Sequence, residues 1–312
     1  MSENSVVANS DYAVAIVDAP SEILPKPYSN PLNSIFDGKW EIGVTAYSGS
    51  FCDVTIAKPA ERDVPFSYAV KTLRPQWRQS QLALAVLQRE AEIGQLVSHP
   101  HLIPVLDAHI SAQTPYLVQP WLNGKTLRYF LSRKRSPNFR EIIWMIRQAA
   151  EAMAELERHD FCHADVKPEN IMISPTGHLT LLDLGLGRRF RESVSPIDHF
   201  VGGTPKYMPP EVLDKSATID SRSDIYSLGC VMGEMLFGEQ FLLNELKANA
   251  IAELFRQLLI RDEILRNTGL QHILRQTESL LCSMLAVNPK DRPQLVSQLV
   301  RELIILELSS MI

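Results

Sequence analysis

The chain has 312 residues, 45% of them apolar and 21% charged, with a net charge of -5, the make-up of one two-lobed globular domain or two small ones. The acidic balance gives no support for binding nucleic acid or an anionic membrane surface, and no apolar run approaches the ~20 residues that span a bilayer. Cys52, Cys162, Cys230 and Cys282 stand far apart, so neither a disulfide framework nor a zinc site is indicated, and a reducing cytoplasm is the expected setting.

Residues 1–35 are rich in Ser, Asn and Pro and read as a flexible tail. Met1-Ser2-Glu3-Asn4 lacks the basic flank and apolar core of a signal peptide. One apolar patch within it, Tyr12 to Val17, offers docking on the body as an extra strand as the alternative to a free tail. From Trp40 to Pro120 strands dominate. A first strand starts near Trp40, and Phe51–Ile56, Tyr68–Leu73, Ile103–Ile110 and Tyr116–Gln119 are rich in β-branched and aromatic residues. Trp77–Val97 reads as a helix with Leu84, Leu87, Ala91 and Leu96 on one side, ending near His99-Pro100.

Beyond Pro120 the pattern turns helical. Phe139–His159 carries Ile142, Ile143, Ile146, Ala149, Ala150, Met153 and Leu156 at the spacing of a buried face. Arg133-Lys134-Arg135 just before it reads as a solvated face. The helix delivers the chain to His163-Ala164-Asp165-Val166-Lys167-Pro168-Glu169-Asn170, a loop ahead of an apolar strand. Loops held between rigid elements often carry catalytic groups. This one offers an acid, a cation and an amide, and Asp183 follows a short strand later. Two carboxylates and an Asn suit Mg²⁺, which prefers oxygen ligands shared with substrate phosphates.

These stretches carry a resemblance. His163 to Asn170 is similar to the catalytic loop H-R-D-L-x-x-x-N of the eukaryotic-like (Hanks-type) serine/threonine protein kinases, with Ala164 in the Arg place. Asp183-Leu184-Gly185 resembles their D-F-G. Tyr47 to Val54 aligns with the glycine-rich loop G-x-G-x-x-G-x-V but keeps only Gly49, with Tyr47 and Cys52 in the outer places. Tyr68-Ala69-Val70-Lys71 resembles V-A-I-K. Three motifs of the second half are similar to those of the family's large lobe: Gly203-Thr204 to Glu211, Asp224 to Gly229, and Asn288 to Pro293. The resemblance implies an α+β, two-lobed kinase-like fold over about 36–306, with a β-rich small lobe at 36–120 and a mainly helical large lobe at 121–312.

It also implies roles. Asp165 would align the substrate hydroxyl, and Lys167 would neutralise the transferred phosphoryl. Lys71 would hold the α- and β-phosphates, with Glu90 as its partner and Glu92 as the fallback. Asn170 and Asp183 would hold Mg²⁺. Gly49 would let the backbone approach phosphate. Val54 and Ala69 would roof the adenine and Met172 would floor it. Gln119 would guard the back pocket, and Pro120 and Leu122 would face adenine from the hinge, Pro120 through its carbonyl alone. Thr204 would seat a Ser or Thr acceptor. Glu211 would pair with Arg292, and Asp224 would prop the catalytic loop.

The expected activity is transfer of the ATP γ-phosphate to Ser/Thr of a protein substrate, with ATP and Mg²⁺ as cofactors and neither nucleic acid nor membrane as partner. Nothing in the sequence sets an oligomeric state. Tyr47, Cys52 and Gly94 depart from the pattern and keep open a pseudokinase, a binding module on the same fold. A small-molecule phosphotransferase is the other alternative. Gly94 predicts a packing gap that loosens the helix of Glu90. Tyr47 and Cys52 predict a loose phosphate loop with Cys52 beside phosphate. Ala164 leaves a phosphate at Ser193 or Ser195 without its usual arginine, so activity is expected not to require activation-segment phosphorylation. Arg188, Arg189 and Arg191 are the local candidates to bind such a phosphate.

Overall fold

The structure, a computed structural model, describes residues 34–133, 137–190, 205–213, 219–238, 241, 248–261 and 271–311. The first half builds a sheet from Ser34–Phe36 (β1), Trp40–Ser48 (β2), Cys52–Pro59 (β3), Tyr68–Leu73 (β4), Asp107–His109 (β5) and Tyr116–Pro120 (β6), in the order β1-β2-β3-β4-β6-β5. All neighbouring pairs are antiparallel. Alternation along each strand gives the sheet two apolar faces. On one, Cys52, Leu73 and Leu117 pack with Ala83, Leu87 and Ala91 of the helix Gln81–Leu96 (α1). On the other, Val70, Tyr116 and Val118 pack with Phe36, Trp40 and Tyr68.

Several boundaries differ from expectation. β1 adds a strand at the edge of the stretch read as a tail, pairing Ser34 with Ile42. The strand expected over 103–110 shortens to β5, because Ile103 N–H donates to the Leu181 carbonyl of the other lobe at 2.9 Å. α1 starts at Gln81 rather than Trp77. Pro75 opens a separate 3-10 turn, and the Ser80 side chain caps α1 by accepting from Ala83 N–H. Leu96 is 51% exposed, since the buried face of α1 runs instead through Ala83, Val86, Leu87, Glu90, Ala91 and Gly94.

The second half is helical: Leu127–Ser132 (α2), Phe139–Arg158 (α3), Pro210–Leu213 (α4), Ser221–Phe237 (α5), Ala248–Arg261 (α6), Gln271–Met284 (α7) and Val296–Met311 (α8). α3 begins in a capping box, where Asn138 and Glu141 each bond the other's backbone N–H. Its apolar face joins α5, α7 and α8 in one large core. Short strands lie on the side toward the sheet: Lys125–Thr126 (β7), Phe161–Cys162 (β8), Ile171–Ile173 (β9), Leu179–Leu181 (β10) and Arg188–Arg189 (β11). This is the two-lobed α+β architecture. The lobes join where Leu181 N–H donates to the His101 carbonyl at 2.8 Å. No helix among the described residues is long and apolar enough to cross a membrane.

Candidate active site

The loop after β8 is held from below. Asp224, on α5, accepts from the N–H of His163 at 2.6 Å and of Ala164 at 2.8 Å. Burial pushes the Asp224 carboxyl up to about 6. Those two bonds hold Ala164 at φ +61°, the left-handed region, a conformation that costs a non-glycine residue about 1–3 kcal/mol. His163 is fully buried. Its Nδ1 lies 3.3 Å from the Asp165 N–H, which donates to it, so Nε2 carries the proton and donates to the Leu182 carbonyl at 3.0 Å. The imidazole is spent on positioning.

Asp165 sits in the floor of the cleft. Lys167 Nζ lies 2.7 Å from its Oδ2, and Asn170 Nδ2 donates to the same oxygen at 2.8 Å and to the Asp165 carbonyl at 2.9 Å. Both partners use Oδ2, which leaves Oδ1 to accept from an incoming hydroxyl. Burial raises the Asp165 pKa, against the pull of Lys167. Asn170 spends its amide hydrogens on Asp165, so its oxygen is the atom left to offer a cation.

The opposite wall comes from the sheet and α1. Lys71, on β4, reaches Glu90 Oε2 at 2.6 Å and Asp183 Oδ1 at 3.1 Å. Gln119 Nε2 donates to the other Glu90 oxygen at 3.0 Å. Burial opposes the Lys71 charge, but Asp183 and Glu90 raise its pKa well above the ordinary value. Desolvation likewise opposes the Asp183 carboxylate, yet Lys71 and Lys167 outweigh it and hold its pKa low. Glu92 turns away from this cluster, to Arg89 at 3.5 Å and Arg189 at 3.4 Å. Asp183 also stands at φ +61°. Gly185 follows because a Cβ there would lie 2.7 Å from Val86 of α1. Charged oxygens from Asp183 and an amide oxygen from Asn170, beside two ammonium groups, are a donor set that fits Mg²⁺ and phosphate.

The residues expected around adenine fall on or beside the paired strands. Ala69 is paired with Gln119, and Tyr68 with Pro120. Val54 is paired with Lys71. Half-buried Met172, on β9, lies against Gly124, two residues beyond Leu122. Thr204, Ser193, Ser195, Arg191, Lys134 and Arg135 lie outside the described residues.

Three expectations change. The gap at Gly94 is filled by Val105: a Cβ at 94 would lie 2.5 Å from Val105 Cγ2 and 3.1 Å from its backbone nitrogen. That nitrogen donates to the Gly94 carbonyl at 2.9 Å, fastening α1 to the strand region behind it. Gly94→Leu is therefore expected to cost about 1–3 kcal/mol by overpacking, read as a lower thermal midpoint together with reduced activity. The phosphate loop is tied down rather than loose. Gly49 N–H donates to the Cys52 carbonyl at 2.7 Å and Arg74 holds the Gly49 carbonyl at 3.2 Å. Phe51 packs edge-on against Trp77, with ring centroids 5.2 Å apart. Cys52 packs into the apolar layer of Leu73, Leu87 and Leu117. Burial pushes its thiol up to about 12, so alkylation at neutral pH is expected to be slow both with and without Mg-ATP. Rapid labelling protected by nucleotide, followed by mass spectrometry, would contradict this burial.

Sequence reasoning missed two features. One is the Gln119–Glu90 bond, for which a polar residue in an otherwise apolar strand was the available signal. The other is a network around Arg128 of α2. It donates to Glu169 and to Glu234, each at 2.7 Å, and to the Tyr207 hydroxyl, while Tyr207 donates to Glu234 at 2.5 Å. It joins the catalytic loop to α5 and to the segment before α4. Beneath that segment, Arg292 holds Glu211 through two bonds of 2.6 and 2.8 Å, and Ser223 adds a third at 2.9 Å.

Comparison with known proteins agrees with this geometry. The family model described as "Protein kinase domain" matches residues 41–304. The serine/threonine-protein kinase PknB of Mycobacterium leprae is 30% identical over 85% of this chain and 42% of its own length. PknB of Mycolicibacterium smegmatis is 28% identical over the same shares. A probable PknB of Bifidobacterium longum is 29% identical over 64% of this chain and 30% of its own. The chain thus spans less than half the length of these relatives. With the family model covering most of the chain and an ion-paired lysine, a propped catalytic loop and a two-carboxylate cleft all in place, the chain belongs to the protein kinase family.

Proposed function

We propose that this kinase domain, about 36–306, transfers the γ-phosphoryl group of ATP to Ser or Thr hydroxyls of protein substrates. The observation that carries the reading is Asp165, whose Oδ2 is held by Lys167 and Asn170 while Oδ1 is left for a hydroxyl. Lys71 and Lys167 balance the charge of the phosphates, Glu90 fixes Lys71 and is itself held by Gln119, and Asn170 and Asp183 hold Mg²⁺. The metal supplies charge neutralisation to the transferred group when bound. Val54, Ala69 and Met172 enclose adenine, with Gln119 behind it and Pro120 and Leu122 along its edge. Thr204 seats the acceptor.

Little here favours a non-catalytic module. Val105 fills the space at Gly94, Cys52 sits in the small-lobe core, and the Lys71–Glu90 pair is formed. A peptide platform around Glu211 and Arg292 speaks for a macromolecular substrate over a small molecule. All four cysteines are free, which supports a reducing, cytoplasmic setting. The test is incubation with γ-labelled ATP, Mg²⁺ and a generic protein substrate, followed by phosphosite mapping. Label on Ser or Thr is the expected result. Nucleotide binding with no label on protein would overturn it.

A further inference from the structure

The strand register sets three side chains in one row. Tyr47 of β2 is paired with Val54 of β3, and Val54 with Lys71 of β4. Directly paired residues of adjacent strands share a face. Lys71 points into the cleft, where it meets Asp183, so Tyr47 points there too. At ~4.8 Å per strand it stands about 10 Å from Lys71 along the row.

The ring then leans forward beneath the loop tip. A Cβ at Gly49 would lie 2.9 Å from Tyr47 Cε1 and 3.5 Å from Cζ, the carbon that bears the hydroxyl. This contact supplies its own reason for a glycine at position 49: a side chain there would require the ring to move. The N–H of Gly49, the loop donor least screened by a side chain, is already given to the Cys52 carbonyl at 2.7 Å. Where backbone donors of a phosphate loop are needed, the hairpin closes on itself, and a phenol stands in front of it.

We propose that Tyr47 is a nucleotide-positioning residue whose phenolic O–H donates to the phosphate chain of bound ATP, in place of a glycine backbone N–H. The surroundings suit a donor. Burial raises the phenol pKa, and the carboxylates of Asp183 and Glu169 add to this against Lys167 and Lys71. The hydroxyl therefore keeps its proton at neutral pH. An approaching phosphate adds negative charge and works in the same direction.

This inference rests on the ATP-dependent reading above, and one experiment separates the two. Dissociation constants for Mg-ATP and for adenosine are measured on the wild type, Tyr47→Phe and Tyr47→Ala, with KM and kcat alongside. Tyr47 is 41% exposed, so neither change is expected to disturb folding, and thermal midpoints verify this. Tyr47→Phe is expected to weaken Mg-ATP binding about tenfold, equivalent to ~1.4 kcal/mol. Adenosine binding stays unchanged. KM for ATP rises with kcat nearly constant, as loss of uniform binding requires. Unchanged Mg-ATP affinity in Tyr47→Phe would overturn the proposal, as would equal weakening of adenosine. Tighter Mg-ATP binding in Tyr47→Ala would also overturn it and make the ring an obstruction. A wild type that binds no Mg-ATP would instead defeat the functional reading itself.

Discussion

Asp165→Asn is expected to lower kcat by at least about 100-fold, with the fold and Mg-ATP binding retained. In the native site Lys167 and Asn170 both donate to Asp165 Oδ2. An Asn at 165 satisfies those donors only by turning its amide oxygen toward them. Its NH₂ then faces the incoming hydroxyl, a donor where an acceptor is required. The substrate is neither aligned nor relieved of its proton, while the phosphate side of the cleft is untouched. Asp183→Asn is expected to fail differently. It removes a carboxylate that Lys71 and Lys167 keep ionised, so Mg²⁺-dependent nucleotide binding weakens along with turnover. Single-turnover assays with labelled ATP and nucleotide titrations with and without Mg²⁺ separate the two variants. Wild-type turnover in Asp165→Asn would remove the basis of the catalytic assignment.

Arg292→Ala is expected to destabilise the large lobe by about 3–5 kcal/mol, the cost of breaking a buried ion pair from one side. The side chains of Arg292 and Glu211 are 0% and 6% exposed. Arg292 also donates to the carbonyls of Arg222, Ala286 and Val287. Removing it leaves the Glu211 carboxylate with Ser223 alone and takes a donor from three carbonyls at once. Glu211 lies in the first turn of α4, just past the segment proposed to seat substrate, so peptide KM is expected to rise in any folded fraction. Urea denaturation with a peptide titration at low temperature reads both effects. A loss below about 1 kcal/mol would mean that water or a neighbouring side chain rescues the stranded carboxylate. The paired change Arg292→Met with Glu211→Leu is expected to recover much of the stability, because the pair is taken out together.

Much of this protein is legible in one dimension. The catalytic stretch from His163 to Asn170, the acid at Asp183 and the lysine at Lys71 appear in order because each motif is short and its chemistry is carried by residue type. α3 is legible too, because its apolar residues repeat at helical spacing. Tertiary structure decided what each marked residue meets. Gly94 reads as a missing side chain, yet Val105, supplied by the chain beyond α1, occupies that volume. Cys52 reads as a phosphate-loop residue, yet its strand turns it under the sheet toward α1 and Leu117. Glu90 and Glu92 are two acids on one helix, separated only by which side of α1 faces Lys71. Tyr47 reads as a lost glycine until strand register puts it in line with Lys71. In each case local pattern carries residue type and periodicity, while the neighbour across the gap comes from distant chain, through packing and register that no single stretch contains.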